Sequence, residues 1–234
     1  MRRLFIADCH AALPALEAVI RHAGDVDEVY FLGDAVDCGP HPGECLDLLR
    51  DIGAVCLMGN HDRGVVDLPV GDGRDAPTVW WTWAVLSDDQ RAFLATFEEG
   101  RRIVSCGQDT ILIHCIPYTP YLTVDDDAES LSHHFHGIRA RNVYCGHSHV
   151  AVDIETGMNR YVCLRPVVNA RDGDSRASYS IEEDGVLRHV YVEYDNVSIK
   201  CEMDAVKKSD LYRGIGEHLE SNRYSAPFPA DFHA

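Results

Sequence analysis

Leu4-Phe5-Ile6-Ala7-Asp8-Cys9-His10, Val29-Tyr30-Phe31-Leu32-Gly33-Asp34 and Val55-Cys56-Leu57-Met58-Gly59-Asn60-His61-Asp62 are three apolar runs, each ending in residues that carry chemistry. Residues 12–23 and 42–52, between the runs, space their apolar side chains as amphipathic helices do. The order is therefore βαβαβ. Strands joined by helical crossovers lie parallel, and sites in such sheets form beyond the carboxyl ends of the strands.

Further along the chain, residues 78–99 read as helical, with Ser87 followed by Asp88, Asp89 and Gln90 as a helix start. Strand patterns return at 101–106, 110–114, 142–144, 150–154, 160–164, 178–181 and 186–192, which predicts a second sheet. Residues 125–139 open with aspartates suited to a helix N-terminus. The stretch from Lys200 holds a weak helix and then a Pro-rich end at 225–232. The expected organisation is one α/β domain over residues 1–199 and a C-terminal extension, 200–234, packed on it.

Composition narrows the function. The 234 residues include 38 acidic and 21 basic side chains, a formal net charge of −17, which opposes broad nucleic-acid binding and attraction to anionic lipid. No apolar run approaches the roughly 20 residues that span a bilayer. Strand-like sequence begins at once and leads into Asp8 and His10, so a cleaved leader is not expected and the cytoplasm is the expected compartment. Nine cysteines without a CxxC pair read as reduced thiols.

Five short motifs follow strand-like runs: Asp8-Cys9-His10, Gly33-Asp34, Gly59-Asn60-His61-Asp62, His114, and Gly146-His147-Ser148-His149. Singly, Asp-x-His or Gly-Asp is a cap, a turn or a surface pair. Together, in this order, they supply carboxylate, imidazole and amide ligands for metal. The strand period of two would aim Asp8 and His10 to one face, and a carboxylate such as Asp34 can bridge two cations about 3.5–4 Å apart. Asp62 reads either as an orienting partner of His61 or as a carboxylate at a helix start. Trp80, Trp81 and Trp83 read as helix packing, and His133, His134 and His136 fit none of the motifs.

The ordered set resembles the calcineurin-like metallophosphoesterase superfamily, with DxH, GD, GNH plus an acid, H, and GHxH all present. Residues 8–20, 59–63 and 146–149, together with Arg171-Asp172-Gly173-Asp174-Ser175-Arg176-Ala177-Ser178-Tyr179, look most like its small bacterial and archaeal phosphodiesterase branch. The resemblance implies a four-layer α/β/β/α sandwich of two mixed sheets flanked by helices. It implies Asp8, His10, Asp34 and His149 around one metal, Asp34, Asn60, His114 and His147 around a second, His61 as the acid oriented by Asp62, and Asn60, His61 and Arg63 at the substrate. Ala11, Ala12, Cys115 and the short Val168-Asn169-Ala170 depart from the family pattern.

The expected activity is hydrolysis of a phosphodiester by metal-activated water, using two divalent transition-metal ions per chain, with Mn, Fe, Zn, Co and Ni all suited to the mixed N/O ligands. The expected substrate is a phosphate-ester small molecule or a nucleotide. Oligomeric state, a homo-oligomer included, is left open. A phosphomonoesterase acting on phosphoprotein or nucleotide is the alternative, because residues 33–39 also resemble the protein-phosphatase loop, with Cys38 where that loop carries an arginine. A non-catalytic metal-binding scaffold is the alternative from another class.

Overall fold

A computed structural model describes residues 1–68, 77–115, 138–156 and 159–221. The first sheet runs in the order β10 (Val186–Val192), β9 (Ala177–Glu183), β1 (Arg3–Ile6), β2 (Glu28–Phe31) and β3 (Val55–Cys56). Its β1, β2 and β3 are parallel, joined by α1 (Leu13–Ala23) and α2 (Pro42–Asp51). The second sheet runs β4-β5-β6-β8-β7, from β4 (Gly100–Ser105), β5 (Gln108–Ile113), β6 (Asn142–Cys145), β7 (Val152–Glu155) and β8 (Arg160–Cys163). Both sheets are mixed and helices flank them, as expected.

Alternation along the strands builds this layering. Leu4, Ile6, Val29 and Phe31 face a core shared with Leu16 and Val19 of α1 and Leu46 and Leu49 of α2. Phe5, Ala7, Tyr30 and Leu32 face the other way, into a cluster with Leu112, Tyr144, Val162 and Leu164 of the second sheet. One strand thus serves two cores, because successive side chains leave opposite faces. The Phe5 ring stacks on Tyr30 at 5.4 Å and meets Tyr144 edge-on at 5.5 Å.

Two expectations need correction. β9 (Ala177–Glu183) and β10 (Val186–Val192) belong to the first sheet, where β9 pairs antiparallel with β1. They form a hairpin whose Asp184-Gly185 turn has φ of 53° and 74°, the backbone that a two-residue turn of matching twist requires. Order along the chain could not show which sheet offered this hairpin a free edge. The helical stretch at 78–99 is two helices, α4 (Pro77–Val85) and α5 (Asp88–Leu94). Ser87 caps the second: its Oγ accepts from the Gln90 amide at 3.2 Å while its own amide donates to Gln90 Oε1 at 3.0 Å.

Beyond the sheets lie α6 (Asn196–Lys208) and α7 (Asp210–Ser221). The first begins four residues ahead of the expected extension, where Asp195 accepts from the amides of Val197 and Ser198, both at 3.1 Å. Met203 and Ile215 bury these helices on the domain. The expected helix at 125–139 falls almost wholly outside the described residues, as do His133, His134, His136 and the Pro-rich end. Among the described residues no helix is long and apolar enough to cross a membrane.

Candidate metal centre

The seven expected ligands converge at the carboxyl ends of β1, β2, β5 and β6 and at the start of α3 (Asn60–Val66). Asp8, His10, Asp34 and His114 are almost wholly buried. A shared strand face does not bring Asp8 and His10 together. The ladder ends at Ile6, and both residues take left-handed backbone, with φ of 58° and 43°. Asp34, His147 and His149 do so too, with φ of 59°, 71° and 58°. Such backbone is uncommon outside glycine, and its concentration at five of these seven positions marks loops held by their surroundings. The surroundings include Asp8 N to Gly33 O at 2.9 Å, His10 N to Asp34 O at 3.0 Å and Val168 N to Asp8 O at 3.2 Å.

The donor atoms form two overlapping groups. On one side His10 Nε2 lies 3.1 Å from His149 Nε2, which lies 3.5 Å from Asp8 Oδ1. On the other, Asn60 Oδ1 stands 3.1 Å from His114 Nε2 and 2.8 Å from His147 Nδ1. Asp34 Oδ2 joins the two, at 3.7 Å from His10 Nε2 and 3.3 Å from His114 Nε2. His114 Nδ1 is hydrogen-bonded to Leu32 O at 2.7 Å and His149 Nδ1 to Asn169 O at 3.0 Å. Each ring therefore spends its Nδ1–H on a carbonyl and turns Nε2 toward the other donors, the arrangement of a metal-binding histidine. Cys115 also stands within reach of His114 and His147.

Burial makes charge expensive here. It pushes Asp8 up to about 6, with Asp34 adding to the effect, and holds His10 down at about 3. For Asp34 the His114 imidazolium outweighs burial and depresses the carboxyl. A dry cluster of carboxylates and imidazole nitrogens is compensated well by cations, so the donor set fits the divalent ions that the sequence implies.

Glycine lets the motifs close. A Cβ on Gly59 would sit 2.1 Å from Asp34 Oδ1, and one on Gly33, with φ of 97°, would sit 2.7 Å from His114 Nδ1.

Of the two readings of Asp62, the geometry favours the carboxylate at a helix start over the partner of His61. Asp62 Oδ2 accepts from the amides of Asp34 at 2.8 Å and Gly59 at 3.0 Å, while Oδ1 accepts from Ala35 at 2.9 Å and Val36 at 3.2 Å. All its capacity goes to backbone, because a fully buried carboxylate at a helix start is the nearest acceptor for these amides. His61 pairs instead with Asp37, Nδ1 to Oδ2 at 2.6 Å. Burial alone would lower the His61 pKa, but the Asp37 bond prevails and raises it to about 11. Asp37 was not anticipated; its only signal was a place in the quoted Gly33-to-Gly39 loop. Arg63, expected beside substrate, is paired with Glu99.

Arg171-to-Tyr179 runs from beside His149 into β9. Arg165, with a side chain only 1% exposed, holds it through Nε to Asp172 Oδ2 at 2.5 Å, Nη2 to Asp172 Oδ1 at 2.9 Å and Nη2 to Asp174 O at 2.6 Å. The Arg171 amide in turn donates to His149 O at 3.0 Å.

The sequence model of the calcineurin-like phosphoesterases matches residues 1–151. An uncharacterized protein of Methanocaldococcus jannaschii is 31% identical, over 92% of this chain and 95% of its own. A metallophosphoesterase of Sphaerobacter thermophilus superposes with a TM-score of 0.74 at 26% identity, covering 94% of this chain and 98% of that one. A hypothetical protein of Pyrococcus horikoshii has the same fold, with a TM-score of 0.74 at 16% identity over 93% and 97% of the two chains. With more than half its length matched, and with the family's ordered motifs gathered at one site, the chain belongs to the calcineurin-like phosphoesterase family.

Proposed function

We propose that this chain hydrolyses phosphodiesters at two divalent cations, one among Asp8, His10, Asp34 and His149 and the other among Asp34, Asn60, His114 and His147. The observation that carries the reading is Asp34 Oδ2, which lies between His10 Nε2 and His114 Nε2 where the two groups of donors meet. Bound there, the cations would supply positive charge for the phosphoryl oxygens and lower the pKa of a water molecule. The chain's own residues do the rest. Buried imidazoles and carboxylates would hold the cations that the phosphate meets. The Asp62 carboxylate holds the Asp34 loop against the start of α3. His61, with Nδ1 tied to Asp37, presents its other nitrogen as the proton donor to the leaving oxygen. As water's oxygen bonds to phosphorus and releases one proton to solvent, the P–O bond to the leaving group breaks and the departing oxygen takes a proton from His61.

Diesters are favoured over monoesters because Cys38, exposed and 4.0 Å from His61 Nδ1, offers a thiol where a monoester dianion is best met by a guanidinium. The manganese-loaded protein is expected to show a higher kcat/KM on bis(p-nitrophenyl) phosphate than on p-nitrophenyl phosphate, and Cys38→Arg to shift the ratio toward the monoester. A monoester preference that Cys38→Arg leaves unchanged would favour the phosphatase reading; no turnover of any ester by folded, metal-loaded protein would favour a binding scaffold.

A further inference from the structure

A groove of about 190 Å³ opens beside the centre, lined at its inner end by His10, Cys38 and Asn169. These are a metal-ligand candidate, the neighbour of the proposed acid, and the residue whose carbonyl holds His149. Its outer wall is α6, which lies beyond the 151 residues matched by the family. Asn196, Ile199, Lys200, Met203, Asp204 and Lys207 line the groove. Their offsets of 0, 3, 4, 7, 8 and 11 residues are one continuous helical stripe. The helix is held in this orientation by buried Met203 and by Glu202, whose carboxylate meets His41 Nε2 at 2.6 Å.

The stripe has two chemistries. Ile199 and Met203, with Val168 opposite, make an apolar floor. Lys200 and Lys207 are exposed, two helical turns or about 10 Å apart along the axis, and among the described residues neither is engaged in an ion pair. Asp204 between them offsets part of this charge, and the remainder is a cationic rim on a chain of net charge −17. A basic edge on an acidic surface, adjoining the catalytic groups, suits an anion attached to the substrate rather than a nucleic-acid backbone running over the molecule.

We propose that α6 is the substrate-selecting wall of this centre, admitting a phosphodiester whose second substituent packs on Ile199, Met203 and Val168 and carries a further phosphate to Lys200 and Lys207. The proposal rests on the phosphoesterase reading and names its substrate class: a diester with an apolar or planar middle and a second anionic end. The probes are thymidine 5′-(p-nitrophenyl phosphate) and the same compound bearing a 3′-phosphate, both reporting release of nitrophenol. For the manganese-loaded protein, KM is expected to be lower for the 3′-phosphorylated diester by about 5- to 20-fold, the worth of two partly exposed charge contacts. In Lys200→Ala/Lys207→Ala that ratio falls to within about twofold of unity, while Lys208→Ala, off the stripe, retains it.

Calorimetry of thymidine 3′,5′-bisphosphate against thymidine 5′-monophosphate gives the same comparison without turnover, and circular dichroism checks that the helix persists in the double variant. Equal KM values in the wild type, or a ratio that survives loss of both lysines, would overturn the proposal. If neither diester is turned over, the phosphoesterase reading fails on its own and the calorimetric ratio still decides whether the lysines select a second phosphate.

Discussion

At the scale of single residues, the proposed centre rests on two carboxylates with different tasks. Asp34 Oδ2 faces an imidazole of each donor group, so removing its charge should weaken both. Asp34→Asn is expected to lower the metal content of carefully loaded protein from about two ions toward none; retention of both ions in elemental analysis would refute the bridging role. In the proposed reaction Asp37 would act through His61, to which it is hydrogen-bonded. His61→Ala should reduce turnover by about 10²–10⁴-fold on esters with poor leaving groups and much less on p-nitrophenyl esters, with metal content unchanged. Asp37→Asn should produce the same leaving-group pattern at about 10–10²-fold, and the double variant should be no slower than His61→Ala alone, because the two residues form one unit. Additive losses would separate them. His61 and Asn60 could be named from their motif. Asp37 could not, since it meets His61 across 24 positions of chain only once the β2 loop has folded against α3.

At the scale of elements, the loops matter more than the strands they extend. Five expected ligands sit in left-handed backbone, and the strand period that predicted a shared face for Asp8 and His10 stops short of both. What holds these loops is contact between motifs, and Gly59 is its tightest point. Gly59→Ala would place Cβ 2.1 Å from Asp34 Oδ1 and 2.3 Å from Asp34 N, so α3 must move away from the β2 loop. A displacement near 1 Å at a catalytic site costs about 10²-fold, and kcat/KM should fall at least that far together with metal affinity. Gly64→Ala is the matched control within α3: its nearest new neighbour is Val79 Cγ1 at 3.6 Å, and alanine favours helix. It should keep activity and equal or exceed wild type in thermal stability; similar losses in both variants would show that the helix, rather than the contact with Asp34, is at fault.

At the scale of the whole molecule, the candidate ligand His149 is tied to the fold beside Arg165. The buried guanidinium of Arg165 grips Asp172 and Asp174, and the same segment supplies the backbone contacts that seat His149. Asp172→Ala leaves a buried cation short of its partner and should destabilise the fold by about 2–4 kcal/mol, with a matching loss of affinity at the His149 side. The Arg165 bond depresses the Asp172 carboxyl, so its contribution is present above the unfolded value of about 3.9 and is lost as pH falls through the lower folded value. Denaturation curves for wild type and variant should therefore differ by a constant amount down to about pH 4 and converge below it; a gap that closes near neutrality would assign the effect elsewhere. The amino-acid sequence by itself determined the βαβαβ opening, the presence of a second sheet and the five strand-end motifs of ligand-type side chains, because apolar periodicity and short motifs are local properties of the chain. Tertiary structure alone decided that β9 and β10 close the first sheet beside β1, that Asp62 serves backbone while Asp37 serves His61, and that α6 walls the groove. Each of these depends on which buried amide, imidazole or sheet edge is left needing a partner when distant segments meet, and that need arises only once the chain has folded.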